Sequence, residues 1–294
     1  SQALYTPLVY TEHIFVFFSL LFILNYIKFR KKQEDKVNLR GTIVFSIISG
    51  ILAFSTIQSR IAGLIILIAI CIYELIIVKE KKILNSLMFI GITIVISQVL
   101  GMLYNHCILN NMINEKYNTN TSLIGYTTYV GMNYEESGKW NQKDATEVVD
   151  FAKEKSVEEA NKEYLRKTFE ERYNIGLKKY INLQARKFYY FNAPDFDVKM
   201  YLNQYKNIDN MAFFINIYSF LVVIITLLSI GYNLIKRKEI SNISILYLLI
   251  IIGNELFNML VETAGRYSYI NAVMIILLFT QQLKTIIVSK REEN

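Results

Sequence analysis

"GILAFSTIQSRIAGLIILIAICIY" (residues 50–73) holds a single charged side chain, Arg60. Two apolar runs share the short polar break "IQSR", and each is close to the length a helix needs to enter a bilayer. The stretch reads as a helical hairpin with little loop. Outward from it, five further segments of comparable length and apolarity bring the total to seven: about 11–29, 41–58, 61–78, 83–106, 211–235, 241–262 and 268–287. The chain has 294 residues, 53% of them hydrophobic, only 2 Pro and a net charge of +7. Its mean hydropathy is +0.27. This profile excludes an ordinary soluble domain and points to a multi-pass membrane protein.

The charge pattern orients the spans. "KFRKKQEDKVNLR" (28–40), "KEKK" (79–82), "KRK" (236–238) and the tail "SKREEN" (289–294) are rich in Lys and Arg, whereas two alternate turns carry one Arg each, Arg60 and Arg266. With seven spans every basic loop falls on one side, which the positive-inside rule makes cytoplasmic. Clusters placed directly beside apolar runs are membrane anchors, so the basic balance is not read as a nucleic-acid surface. The expected fold is mainly α: about seven transmembrane helices and one extracytoplasmic, mostly helical domain. Residues 1–107 hold the first four spans, 108–210 the extracytoplasmic domain, and 211–294 the last three spans with a cytoplasmic tail.

The polar segment carries charges of both signs and Trp140, and from Asp144 to Tyr190 it reads as helices. Val148, Phe151, Ala152 and Val157, then Tyr164, Leu165, Phe169, Tyr173, Leu177, Tyr180 and Ile181, recur at helical spacing and are expected in its core. Asn141 or Asp144 suits an N-cap, and Gly176 a break. "FNAPDFD" (191–197) is a turn back to the membrane. Cys71 and Cys107 lie in apolar runs without paired spacing, and His13 and His106 are too few and too far apart to suggest a metal site. No cofactor is expected. "NTS" (120–122) fits a glycosylation sequon, a short match of little weight.

The residues that could carry chemistry lie at the turns on the non-cytoplasmic side. In "VETAGRYSY" (261–269), Glu262 ends one span, Gly265 permits a reversal, and Arg266 with Tyr267 opens the next helix. A cation at a helix start adds to the unpaired amide donors there, which makes an anion site. Ser59 as a cap with Arg60 in the first turn of the third span repeats that arrangement. Lipid headgroups or neighbouring carboxylates are the alternative partners of both arginines. Glu12 is a weak catalytic candidate as a base, a partner for an Arg, or a solvated interfacial charge. Glu74 is expected to snorkel to the cytoplasmic boundary. Asn254 and Glu255 lie deeper in the sixth span, where a carboxylate faces a wet cavity or makes a structural interhelical bond.

"VYTEHIFVFFSLLFIL" (9–24), residues 50–73, "GYTTYVGMNYEESGKWNQKD" (125–144), "ERYNIGLKKYINLQARKFYYFNAPDFD" (171–197) and "ELFNMLVETAGRY" (255–267) resemble, in this order, the later part of bacterial polytopic glycosyltransferases. These are GT-C enzymes related to the protein O-mannosyltransferases of family 39. The most specific pieces are G-M-N…G-x-W-N-x-x-D and E-x-x-x-R-Y. The resemblance implies a polyprenyl-phosphate sugar as donor, membrane lipid around it, and inverting transfer to a cell-envelope acceptor: glycan, lipid or protein. It places Arg266, Tyr267 and Arg60 at the donor phosphate, with Glu262 and Glu255 in support and Arg266 the leading candidate. The superfamily's activating carboxylate lies on a first outer loop, and the resemblance begins downstream of it. The expectation is therefore a piece of a longer enzyme or a shortened homologue. A non-catalytic binder of the lipid-linked sugar is a second reading. A transporter or flippase is a third, which the lack of inverted repeats or Gly/Pro-broken spans disfavours.

Overall fold

The computed structural model describes the backbone of residues 6–35, 39–77, 83–109, 124–192, 208–235 and 242–292, and among these there is no strand. Eleven α-helices follow in order: α1 Thr6–Asp35, α2 Leu39–Ser59, α3 Gly63–Ile77, α4 Ile83–Tyr104, α5 Ile124–Gly131, α6 Gln142–Glu154, α7 Val157–Lys167, α8 Leu177–Asn192, α9 Ile208–Ile235, α10 Asn242–Leu260 and α11 Tyr269–Glu292. Each of the seven apolar segments is helical over most of its described residues. Among the described residues, four stretches are long and apolar enough to cross a membrane: Glu12–Gln33, Leu39–Ser59, Ile83–Cys107 and Asn242–Leu260. Among the described residues, shorter apolar stretches lie in α3, α9 and α11, at Gly63–Ile76, Val223–Tyr232 and Tyr269–Leu283.

Backbone contacts divide the chain into two compact units. The first comprises residues 1–118, 229–253 and 277–294, and the second 119–228 and 254–276. In the first, α2 packs along α1 and α4. Its buried face is small and polar, with Thr42, Ser46, Ser49, Gly50, Ala53 and Thr56. Its exposed face carries Ile43, Val44, Ile47, Ile48 and Ile51. α4 repeats the pattern, burying Asn85, Ser86, Thr93 and Ser97 while exposing Leu84, Leu87, Val95, Val99 and Leu103. In water this arrangement would be upside down. In lipid it is favourable, because small residues let helices approach and hydroxyls or amides join them, while branched apolar side chains face the acyl tails. The joins are explicit: Asn25 Nδ2 donates to Ser49 Oγ (2.8 Å), Gln33 Nε2 to Thr42 Oγ1 (2.7 Å), and Asn85 Nδ2 to Gln33 Oε1 (3.0 Å). Phe29 stacks on Phe89 with ring centroids 4.2 Å apart.

The second unit holds the polar helices. Asn141 caps α6 by accepting from the Asp144 amide (2.8 Å), and Ser156 caps α7 by accepting from Glu159 N (3.1 Å). α7 has Glu158 and Glu159 in its first turn and Arg166 and Lys167 in its last, which matches the helix dipole at both ends. Gly176 takes a positive φ just ahead of α8 and ends the preceding turn. Tyr129, Val148, Ala160 and Tyr164 form the core, with Phe151 and Ala152 against it. The expected core stops there. Phe169, Leu177 and Ile181 are all more than half exposed: Phe169 lies within the turn at Thr168–Arg172 that ends the α7 register, and Leu177 and Ile181 follow the break at Gly176.

Candidate functional site

In the first unit Arg60 donates to Glu12 in an ion pair that leaves both side chains largely buried. Of the sequence readings of Glu12, the structure realises that of a partner for an Arg. The proposed cap is replaced by different geometry. Ser59 Oγ donates back to Ser55 O (2.7 Å) inside α2, and Arg60 N continues that helix by donating to Thr56 O (3.1 Å). Arg60 thus sits at the C-terminal end of α2, where the helix dipole favours a cation; α3 starts later, at Gly63. Glu74 does not snorkel. It is buried, accepts from the Tyr26 hydroxyl, and has Arg30 Nη1 at 3.4 Å. A carboxylate placed that deep needs such donors, and α1 supplies them.

In the second unit the G-M-N…G-x-W-N-x-x-D stretch is a clamp built around Asp144. Asn133 Nδ2 and Asn141 Nδ2 each donate to Asp144 Oδ2 at 2.8 Å. Arg172 closes the set through a bidentate contact, Nη2 to Oδ1 at 2.8 Å and Nη1 to Oδ2 at 2.9 Å. Its guanidinium lies over the Tyr129 ring, 3.4 Å from the centroid. Burial pushes the Asp144 carboxyl upward, but the bonds from Arg172, Asn141 and Asn133 outweigh it and hold the group below its ordinary value. This carboxylate is committed to structure.

The clamp positions a second motif. Glu262 N donates to Thr127 O and Thr263 N to Gly138 O, both at 2.8 Å, so the "VETAGRY" turn is bonded through its main chain to α5 and to the loop that follows. Lys187 locks the junction from α8. Its ammonium is fully buried and donates to the carbonyls of Gly131 (3.0 Å), Met259 (3.0 Å) and Val261 (2.7 Å). These carbonyls cluster at the C-terminal ends of α5 and α10, where partial negative charge accumulates. Burial pushes Lys187 down to about 7, and the Glu262 charge opposes it. Gly138 has φ +70°, and a Cβ there would lie 2.7 Å from Gly131 O and 2.8 Å from Lys187 Cδ. Gly131 in turn lies against the Val261 backbone. Both positions require the absence of a side chain.

A polar face of α10 adjoins this junction. Glu255 Oε1 accepts from Asn271 Nδ2 (3.0 Å) and Asn192 Nδ2 (3.2 Å), which is the interhelical bond among the sequence readings. Asn254 Nδ2 donates to Asn271 Oδ1 (3.0 Å) and lies 3.4 Å from the Tyr267 carbonyl. Asn258, one turn on, is only 3% exposed, yet neither polar atom of its amide has a hydrogen-bond partner among the described residues. Such a buried amide calls for a partner beyond the described residues: a ligand, solvent or another side chain. Glu262 is buried as well. Tyr126 is pushed up by burial and by the charge of Glu262. Arg266 lies in a 3-10 turn, Gly265–Ser268, ahead of α11 rather than in its first turn; its side chain lies outside the described residues.

Glu262, Glu255 and Tyr267 therefore share the second unit, whereas Arg60 and Glu12 pair with each other in the first. Sequence reasoning passed over Lys187, Asn192, Asn258 and Asn271. Lys187 had a legible signal: it falls midway between Leu183 and Phe191 on the buried face of an amphipathic helix. The asparagines had none, since a lone amide gives no hint of its partner, whether in a span, as Asn258 and Asn271 are, or at the end of α8, as Asn192 is. Comparison of the chain with protein-family models, with curated proteins and with solved structures yields no match to any of the three.

Proposed function

We propose that the chain is a seven-span membrane glycosyltransferase of the GT-C type, or the carboxyl-terminal part of one. On this reading it moves a sugar from a polyprenyl-phosphate carrier to a cell-envelope acceptor at the non-cytoplasmic surface. The observation that carries the reading is the buried amide of Asn258, which has no hydrogen-bond partner among the described residues, beside the "VETAGRY" turn. A sugar offers hydroxyls that both accept from and donate to an amide, and the carrier phosphate needs a cation at headgroup height, the role given to Arg266. The two motifs that carry the resemblance are also bonded to each other through their main chains, as parts of one site would be. The basic loops support seven spans with the polar helices outside.

Two substitutions test this in proteoliposomes supplied with radiolabelled polyprenyl-phosphate sugar and membrane acceptor. Asn258→Leu removes an unsatisfied buried amide, so thermal stability should hold or rise. Transfer should nevertheless fall by about 10-fold or more, the usual scale for losing a hydrogen bond to substrate. Arg266→Ala should lower transfer by about 100-fold or more. A stable Asn258→Leu protein with undiminished transfer would sink the reading. The second reading, a non-catalytic binder, is favoured by one observation: Glu12 is held by Arg60 instead of facing a substrate. It predicts that the lipid-linked sugar raises the melting temperature without turnover.

A further inference from the structure

We infer that α8 is an interfacial helix that lies in the headgroup layer and takes anionic lipid as its partner. The argument begins with its composition. "LKKYINLQARKFYYFN" has four basic residues, Lys178, Lys179, Arg186 and Lys187, and no acidic one. The preceding helix, "VEEANKEYLRK", carries three glutamates. Leu183, Gln184, Lys187 and Phe191 face the protein. On the neighbouring side Leu177, Ile181 and Phe188 form a second apolar stripe, with Tyr189 at its edge, each between 52% and 75% exposed. From Leu177 to Tyr189 this stripe is about 18 Å long. One amphipathic helix normally buries one apolar face, so a second, uncovered one needs an apolar partner.

Lipid is the occupant that fits, for two reasons. The first is height. Asn192 continues the exposed stripe at helical spacing from Phe188 and bonds Glu255 (3.2 Å), which lies more than a turn inside the end of α10, a helix long and apolar enough to cross a membrane. Lys187 ties the same helix to the end of α10 through the carbonyls of Met259 and Val261. The stripe therefore ends at the depth where α10 leaves the hydrocarbon. The second is charge. Lys178 flanks the stripe and is exposed, and Lys179 and Arg186, on the opposite side of the helix, overlie the Tyr134 ring. An apolar stripe with Lys178 at its flank and further basic side chains on the opposite face, with Phe and Tyr at one end, describes a helix lying in the plane of an anionic surface. The inference rests on α10 spanning the membrane, and it is independent of sugar transfer.

Spin labels on single cysteines in the full chain, with Cys71 and Cys107 replaced by Ser, test this in vesicles. Labels are placed at Leu177→Cys, Ile181→Cys and Phe188→Cys, with Lys162→Cys on α7 as the solvent control. In phosphatidylcholine vesicles containing phosphatidylglycerol, the labels at 177, 181 and 188 should be more accessible to oxygen than to a water-soluble nickel complex. At 162 that order should reverse. Labels at 177 and 188 should report similar depths, and omission of phosphatidylglycerol should make both shallower. Water-like accessibility at 177 and 181 overturns the proposal, as does low accessibility to both reagents, which signals a protein partner such as a second copy. Immersion that does not respond to phosphatidylglycerol overturns the choice of anionic lipid. None of these readouts depends on catalysis.

Discussion

Arg60 and Lys187 are both buried cations at the C-terminal ends of helices, and they are held in opposite ways. Arg60 is neutralised by the side-chain carboxylate of Glu12, whereas Lys187 is caged by three main-chain carbonyls. A carboxylate can be protonated, replaced by a bound anion or lost by mutation with the helices still in place. Carbonyls at helix ends cannot change without moving the backbone. The first arrangement can respond to its surroundings, and the second is part of the frame.

The sharpest test of that contrast is Lys187→Met. It keeps the length of the side chain but leaves three buried carbonyls without a donor, and the expected loss is about 3–5 kcal/mol, read as a drop in melting temperature of the detergent-solubilised protein. If the cost is small, the cage is not a frame. Next is Asp144, whose carboxylate is held below its ordinary value in the fold. The unfolded chain then binds more protons than the folded one as pH falls through about 4, so the stability from this group is present above that pH and lost below it. Asp144→Asn should cost about 2–4 kcal/mol at neutral pH and flatten the acid limb of the melting curve. Gly138→Ala should cost about 1–3 kcal/mol, through the strained φ and the approach to Gly131 O and Lys187 Cδ. The smallest effects belong to the ion pair: Glu12→Gln and Arg60→Gln should each cost about 1–2 kcal/mol, and the double variant less than their sum. Full additivity would mean that the two side chains act independently.

Helices were legible because a run of apolar residues needs only one physical assumption, that backbone polar groups in lipid must be satisfied within the helix. All seven segments became helices on that basis. The faces were harder to read. A hydropathy average cannot tell which side of α2 meets protein, and the answer is the side with Thr42, Ser46 and Ser49. Aromatic spacing in the polar segment overstated the core, since Phe169, Leu177 and Ile181 keep helical spacing yet stay exposed. Helical register continues through a sequence even where a break at Gly176 has turned the helix away.

At the candidate site the sequence located Glu262, Tyr267 and Glu255 but not their company. The motif of Asn133, Asn141 and Asp144 carried part of the family resemblance and offered an N-cap, and in the structure it is a clamp around Arg172. Arg60 looked like the start of a helix and is the end of one. By itself the sequence determined helical content, the apolar segments and the clustering of basic loops, because hydrophobicity and charge are properties of consecutive residues. Only the tertiary structure decided which cation meets a carboxylate, which meets carbonyls, and which buried amides lack a partner among the described residues. Those outcomes depend on groups brought together from distant parts of the chain, and short-range pattern carries no information about them.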